Sequence, residues 1–227
     1  MSYTVRHSER ARRMSLRVLP GRGLEVVLPR GSSLRDAEGL VRREQDWVLR
    51  ALERFSGDGG DGLRGGASLP WLDERLTLSL EPGERVSVTR AGDIVTITTT
   101  DSQLAALALE AWYRAQARVV LRERALRHAS TLRVEVRRVT IKDTRSRWGS
   151  CSERGNLNFS WRLMLAPRAV MDYVVAHEVA HLRELNHSPR FWAHVAALCP
   201  DYRAQRRWLR LHGAALAGWP ATVIPDA

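Results

Sequence analysis

His177-Glu178-Val179-Ala180-His181, inside the longer run RAVMDYVVAHEVAHLRELNHSPRFW at residues 168–192, is the stretch on which the fold turns. Apolar residues at Val174, Val175, Val179 and Ala180 predict a buried helix. Spacing of four residues puts both imidazoles on one face, one turn apart, where they can chelate a single ion. Glu178 lies beside that face. Two histidines and a glutamate on a buried helix are costly unless something satisfies them, and a metal does so. A catalytic zinc takes three protein ligands and an open position. His187, five residues beyond His181, is the third candidate and matches the spacing of H-E-x-x-H-x-x-G-x-x-H. Glu184 stands where that pattern has glycine, and no methionine follows His187, so a metzincin is not expected. Asn186 is the expected helix stop, and Pro189 prevents the helix from continuing. The expected cofactor is one Zn2+ per chain, held by His177, His181 and His187. Zinc lowers the pKa of a bound water from about 15.7 to about 7, and Glu178 is placed to take its proton as general base.

Outward from this motif, a helix is expected from residue 168 to residue 185. A second starts at Ser188 (N-cap) with Pro189 at its first position, and a third runs from Asp201 to near Gly213. Residues 133–141 and 156–161 read as strands around a turn-rich centre with Gly149 and Gly155. Strand 156–161 is a candidate edge for an extended peptide, or else a core strand. A long helix is expected from 101 or 102 to about 128, with Leu104, Leu107, Ala111, Ala115 and Val119 along one side. Short strands fall at 76–80, 85–89 and 94–98. Residues 15–18 and 24–28 form a hairpin around Pro20-Gly21-Arg22-Gly23. A helix opens at Ser33 with Asp36 in its first turn and runs to Phe55. Residues 56–68 carry six glycines and two aspartates and read as a loop or connector. The chain is thus α+β. Residues 1–100 form a β-rich N-terminal region with one helix and the glycine-rich loop, 101–213 a catalytic domain, and 214–227 a tail.

A chain of 227 residues is long enough for one substantial domain or a catalytic domain with a companion. Two cysteines, Cys151 and Cys199, exclude a disulfide framework and a four-thiolate zinc site. Residues 1–16 are arginine-rich without an apolar core, and runs such as 104–109 are too short to cross a bilayer, so a soluble, cytoplasmic protein with no membrane partner is expected. Net charge is +11, and the pI is about 11.0. Such a balance favours acidic partners, nucleic acid or nucleotides first. It also fits arginine-heavy usage, since Lys142 is the one lysine. Arg133, Arg137, Arg138, Lys142, Arg145 and Arg147 would form a positive rim near the catalytic helix. Arg203, Arg206, Arg207 and Arg210 make one stripe on the last helix, most simply a solvated face.

Arg147-Trp148-Gly149-Ser150-Cys151-Ser152, Gly155-Asn156-Leu157-Asn158, Trp161-Arg162-Leu163, Asp172-Tyr173-Val174-Val175, the H-E-x-x-H, Asn186-His187-Ser188, Phe191-Trp192 and Pro200-Asp201-Tyr202 together resemble the YgjP-like (DUF45) metallopeptidase family. Arg13-Met14-Ser15-Leu16-Arg17-Val18 is similar, less distinctively. The resemblance implies a zincin-like fold, a small antiparallel sheet packed on the H-E-x-x-H helix and further helices. It likewise implies His177, His181 and His187 as ligands and Glu178 as base, and tilts Arg145 and Arg147 toward substrate contact. The family is similar to the SprT-like and Wss1-like metalloproteases, some of which cut proteins bound to DNA.

The expected function is a zinc metallopeptidase acting on a peptide or protein substrate, with Tyr202 or His194 adding a hydrogen bond to the developing oxyanion. Two alternatives stand beside it: a metal-dependent nucleotide phosphohydrolase (pyrophosphatase), and a DNA-associated protein-processing protease using the basic surface. A binding module keeping metal only for structure is disfavoured by Glu178, which a structural site does not need. His7, His128 and His212 receive no role.

Overall fold

A computed structural model describes residues 3–9, 11, 13–19, 23–46, 48–49, 63–144 and 147–218. The chain divides into two compact units, Met1–Leu69 with Leu76–Ala106 and Leu209–Ala227, and Pro70–Arg75 with Leu107–Trp208.

In the first unit, β1 (Tyr3–Ser8), β2 (Ser15–Leu19) and β3 (Gly23–Pro29) form a sheet in the order β1-β3-β2. The expected hairpin is β2 against β3, with Leu16 opposite Val26. The arginine-rich start of the chain adds β1 parallel to β3, Val5 opposite Val26, which its composition did not announce. Leu16, Leu24, Val26 and Leu28 are buried on this sheet. Ser33 and Asp36 close a capping box on α1 (Leu34–Arg43), each side chain answering the other's backbone N–H. Ala37, Leu40 and Val41 are its buried face. This helix ends at Glu44 rather than at residue 55, because Glu44 leaves helical geometry (φ −106°, ψ 19°). Further helical residues follow at 45–46 and 48–49, whereas residues 51–62, with most of the expected glycine-rich loop, lie outside the described residues. β4 (Ser68–Trp71), β5 (Glu74–Glu81), β6 (Ser87–Ala91) and β7 (Ile94–Thr98) make a sheet ordered β4-β5-β7-β6. Alternation buries Leu76 and Leu78 on β5 and Val95 and Ile97 on β7.

The second unit is built on α2 (Ser102–Leu132). Its buried stripe is Leu109, Tyr113, Ala117, Leu121 and Ala125, while Leu104, Leu107 and Val119 are exposed. The side read from sequence as the apolar one therefore faces water. Alanine and leucine lie all round this helix, and the aromatic pair Trp112–Tyr113 decided which side packs: it stacks with Trp71 and Trp161, and the Tyr113 hydroxyl donates to Pro70 O at 2.6 Å. The helix ends at Arg133, in left-handed geometry (φ 53°), where the Arg183 guanidinium donates to the freed carbonyls of Leu132 and Arg133.

β8 (Arg138–Lys142), β9 (Gly149–Cys151) and β10 (Asn156–Ser160) form a sheet ordered β8-β10-β9. It is mixed rather than antiparallel: β10 runs parallel to β8 and antiparallel to β9. Of the two readings of strand 156–161, peptide edge or core strand, the second holds: β10 is central, with both its hydrogen-bonding sides taken, and short β9 holds the edge. A buried 3-10 turn (Trp161–Leu165) leads through Pro167 into α3 (Arg168–Ala180), followed by α4 (Pro189–Leu198) and α5 (Tyr202–Gly218). The third helix runs past Gly213, since a mid-helix glycine costs only about 1 kcal/mol against alanine. Asp172 ties α3 to α2, its Oδ1 lying 2.7 Å from His128 Nε2 and 3.1 Å from Arg124 Nε.

Candidate metal centre

α3 ends at Ala180, five residues before the expected position, and that early end builds the site. Leu182 and Arg183 bond back three residues, to Val179 and Ala180, tightening the last turn. The chain then leaves the helix axis, so the Glu184 carbonyl is free to meet His181 Nδ1 at 3.1 Å. No residue between 181 and 188 takes a positive φ. Asn186 acts through its side chain instead: its Oδ1 accepts from Ser188 N at 2.9 Å, making a turn that brings His187 back. Ser188 then caps α4 by accepting from Phe191 N, with Pro189 at the first helical position.

His177, His181 and His187 converge, with one ligand atom from each within 4.8 Å of the others. Their ring centroids stand 4.8–5.1 Å apart. His177 Nε2 and His187 Nε2 are 3.2 Å apart, near the edge of a tetrahedron of zinc ligands, about 3.3 Å for Zn–N of about 2.0–2.1 Å. The backbone partner on Nδ1 of His181 leaves Nε2 of that ring for a ligand. His177 Nδ1 is buried with no hydrogen-bond partner among the described residues. An imidazole so placed needs a strong partner on its other nitrogen. The residues present therefore fit a metal ion, and nitrogen donors suit zinc better than magnesium or calcium.

Electrostatics agree. Burial, then the neighbouring imidazoles of His181 and His187, push the His177 pKa down to about 3. Burial also lowers that of His181. Both rings are thus held neutral, the form that binds metal. Glu178 is 6% exposed, and burial pushes its carboxyl up to about 8, opposed by the charge of Arg147.

Two neighbours of the triad and Glu178 lie within the family-like motifs of the sequence, where they received no role. Phe191, fully buried, lies 4.5–4.9 Å from all three imidazole centroids and forms the floor beneath them. Gly149 on β9 lies so close to Glu178 that a Cβ there would come within 2.6 Å of Cγ and Oε1. The Trp-Gly-Ser-Cys run was the available signal, though it marked a turn rather than a contact.

Arg147 is exposed and near enough to Glu178 for its charge to act. Arg145 lies outside the described residues. Tyr202 stacks on Trp192 (5.3 Å, 19°), which in turn stacks on His187 (5.8 Å, 25°), so it reaches the triad through an intervening indole. His194 is half-buried on α4. Arg203, Arg206, Arg207 and Arg210 are all exposed, as a solvated face requires, although Arg206 covers the Trp192 ring at 4.7 Å. Among the described residues, no helix is long and apolar enough to cross a membrane.

A histidine triad able to hold a metal, set against a buried carboxylate, is the kind of site that serves metal-dependent hydrolases. Residues 12–212 match the family model described as YgjP-like, metallopeptidase domain, and the chain belongs to that family. No curated protein and no solved structure matched it.

Proposed function

We propose that the chain is a zinc metallopeptidase in which His177, His181 and His187 hold one Zn2+ and Glu178 is the general base. The observation that carries this reading is the convergence of three imidazoles beside a buried carboxylate on one short helix-turn segment. When bound, the ion supplies Lewis acidity, polarising the scissile carbonyl and acidifying water. Glu178 takes the proton from the attacking water and returns it to the departing amine. A carboxyl whose pKa burial raises to about 8 is suited to both duties near neutrality. Gly149 leaves Glu178 room at the sheet edge, where the exposed side of β9 offers backbone groups to an extended peptide. The test is Glu178→Gln. It should retain zinc by elemental analysis while kcat/KM on peptides falls by about 100-fold to 10,000-fold, the usual range for loss of an acid-base group. Full activity in this variant would sink the mechanism.

A second reading, hydrolysis of nucleotide phosphoanhydrides, is supported by two cations, Lys142 and Arg147, that share one cavity, Arg147 being near enough for its charge to act on Glu178. Zinc-loaded protein that releases phosphate from nucleotides and leaves peptides intact would favour it. A DNA-associated role rests on the exposed arginines of α5, and a gel shift that weakens steeply with salt would support that.

A further inference from the structure

Beside Gly149, a cavity of about 310 Å³ is lined by Lys142, Thr144, Arg147, Gly149, Ser150 and Asn158. Its lining holds two cations and no carboxylate. Among the described residues, no acidic group lies within ion-pair distance of either Lys142 or Arg147. Some arginines elsewhere in this unit are matched, Arg114 with Glu110 and Asp143, Arg124 with Asp172, Arg127 with Glu123, while others stand on open surface; Lys142 and Arg147 differ from those in sharing one cavity.

The pocket is also held in shape. The Thr144 hydroxyl donates to Arg147 O at 2.8 Å, tying Arg147 to the segment that follows Lys142 at the end of β8. Asp143, between Lys142 and Thr144, is gripped by Arg162, whose guanidinium is almost wholly buried over the Trp161 ring. Asn158 Nδ2 donates to Ser150 Oγ at 3.1 Å, which leaves the Ser150 O–H free to donate into the cavity. Two cations with no acidic partner among the described residues and a free hydroxyl, brought together from β8, β9 and the segment before β9, are a receptor for an anion.

We infer that this pocket is a specificity subsite that accepts a substrate carboxylate, either an Asp or Glu side chain close to the scissile bond or the C-terminus of the peptide. The inference rests on the metallopeptidase reading, which supplies the peptide. Gly149 and Ser150 belong both to the pocket wall and to β9, so a peptide lying along that edge passes the pocket as it passes Glu178. Arg147 thus lines the pocket while its charge also acts on Glu178. Arg162 and Asp143 are positioning residues, setting the loop without touching the ligand.

The experiment uses the full zinc-loaded chain and a set of quenched fluorescent peptides. Each carries one Glu, Gln or Lys at successive positions around the cleavage point, with free or amidated C-termini. At one position, kcat/KM for Glu should exceed that for Gln at least tenfold; a preference for the free C-terminus instead identifies the terminal carboxylate as the ligand. In Lys142→Gln and Arg147→Gln the preference should shrink severalfold, and Lys142→Glu should turn it toward Lys. Fluorescence anisotropy of the labelled Glu and Gln peptides on metal-free protein reads the same preference without catalysis. Peptides cleaved with no preference for Glu or a free C-terminus, and equal binding of the Glu and Gln peptides, would overturn the subsite and leave the peptidase standing. Binding preference retained while no peptide is cleaved would instead overturn the peptidase reading. Inorganic phosphate competing where carboxylate peptides do not would reassign the pocket to a phosphate-bearing ligand.

Discussion

Glu178 owes its position to a residue with no side chain. β9 passes so close to α3 that a methyl on Gly149 would sit 2.6 Å from the Glu178 carboxyl, a distance real Cβ contacts do not adopt. Gly149→Ala must therefore either swing the carboxylate aside or push the strand out. The triad lies on other segments, so zinc content should remain one per chain while kcat/KM falls about 100-fold, as expected for a catalytic group displaced by about 1 Å. Unchanged peptide cleavage would mean that the carboxylate tolerates a wide range of positions. The triad and Glu178 were legible in the sequence because their relation is local: helical spacing fixes two imidazoles and the glutamate, and a short return fixes the third. The Gly149 contact is long-range. A sequence marks such a glycine only as a break in pattern, without saying what approaches it.

Between elements, Asp172 is the chief polar tie. Its carboxylate accepts from Arg124 and His128 on α2, and the His128 ring is 6% exposed. Asp172→Ala strands that imidazole without an acceptor, which should destabilise the fold by about 2 kcal/mol. In a chain of this length the melting temperature should then drop by about 4–8 °C. Asp172→Asn, which keeps an acceptor oxygen, should lose less. Equal melting of all three proteins would show the tie to be dispensable. Segment types were readable, because caps such as Ser33 with Asp36 and Ser188 with Pro189 are local chemistry. Which face of α2 packs was not, since its alanines and leucines encircle the helix and the choice fell to the aromatic cluster around Tyr113. The choice between edge and centre for strand 156–161 stayed open for the same reason: strand order depends on pairing between segments, and period-2 patterning carries no information about partners.

At the scale of the molecule, one compact unit gathers residues from both ends of the sequence, and His212 on α5 is buried within it at 1% exposure. Nothing in its neighbourhood along the chain foretold this, because burial is a property of the assembled fold. Glu44 Oε2 lies 3.5 Å from His212 Nε2 and favours the imidazolium, but desolvation outweighs it and pushes the ring down to about 3. At His212 the native state therefore binds fewer protons than the unfolded chain at every pH between about 3 and the ordinary histidine value of 6.5. The contribution of His212 to stability must fall as pH falls through that window, by about 1.4 kcal/mol per pH unit once well below 6.5, and be fully present above it. Between pH 7.5 and pH 5, His212 should withdraw about 2 kcal/mol. His177 titrates in the same direction, so the comparison is a double difference: urea unfolding of chelator-treated wild type and His212→Gln at both pH values. His177 contributes equally to each protein and cancels. Wild type should lose about 2 kcal/mol more than the variant on acidification. Equal losses would mean that His212 takes up its proton in the folded state, with Glu44 outweighing burial.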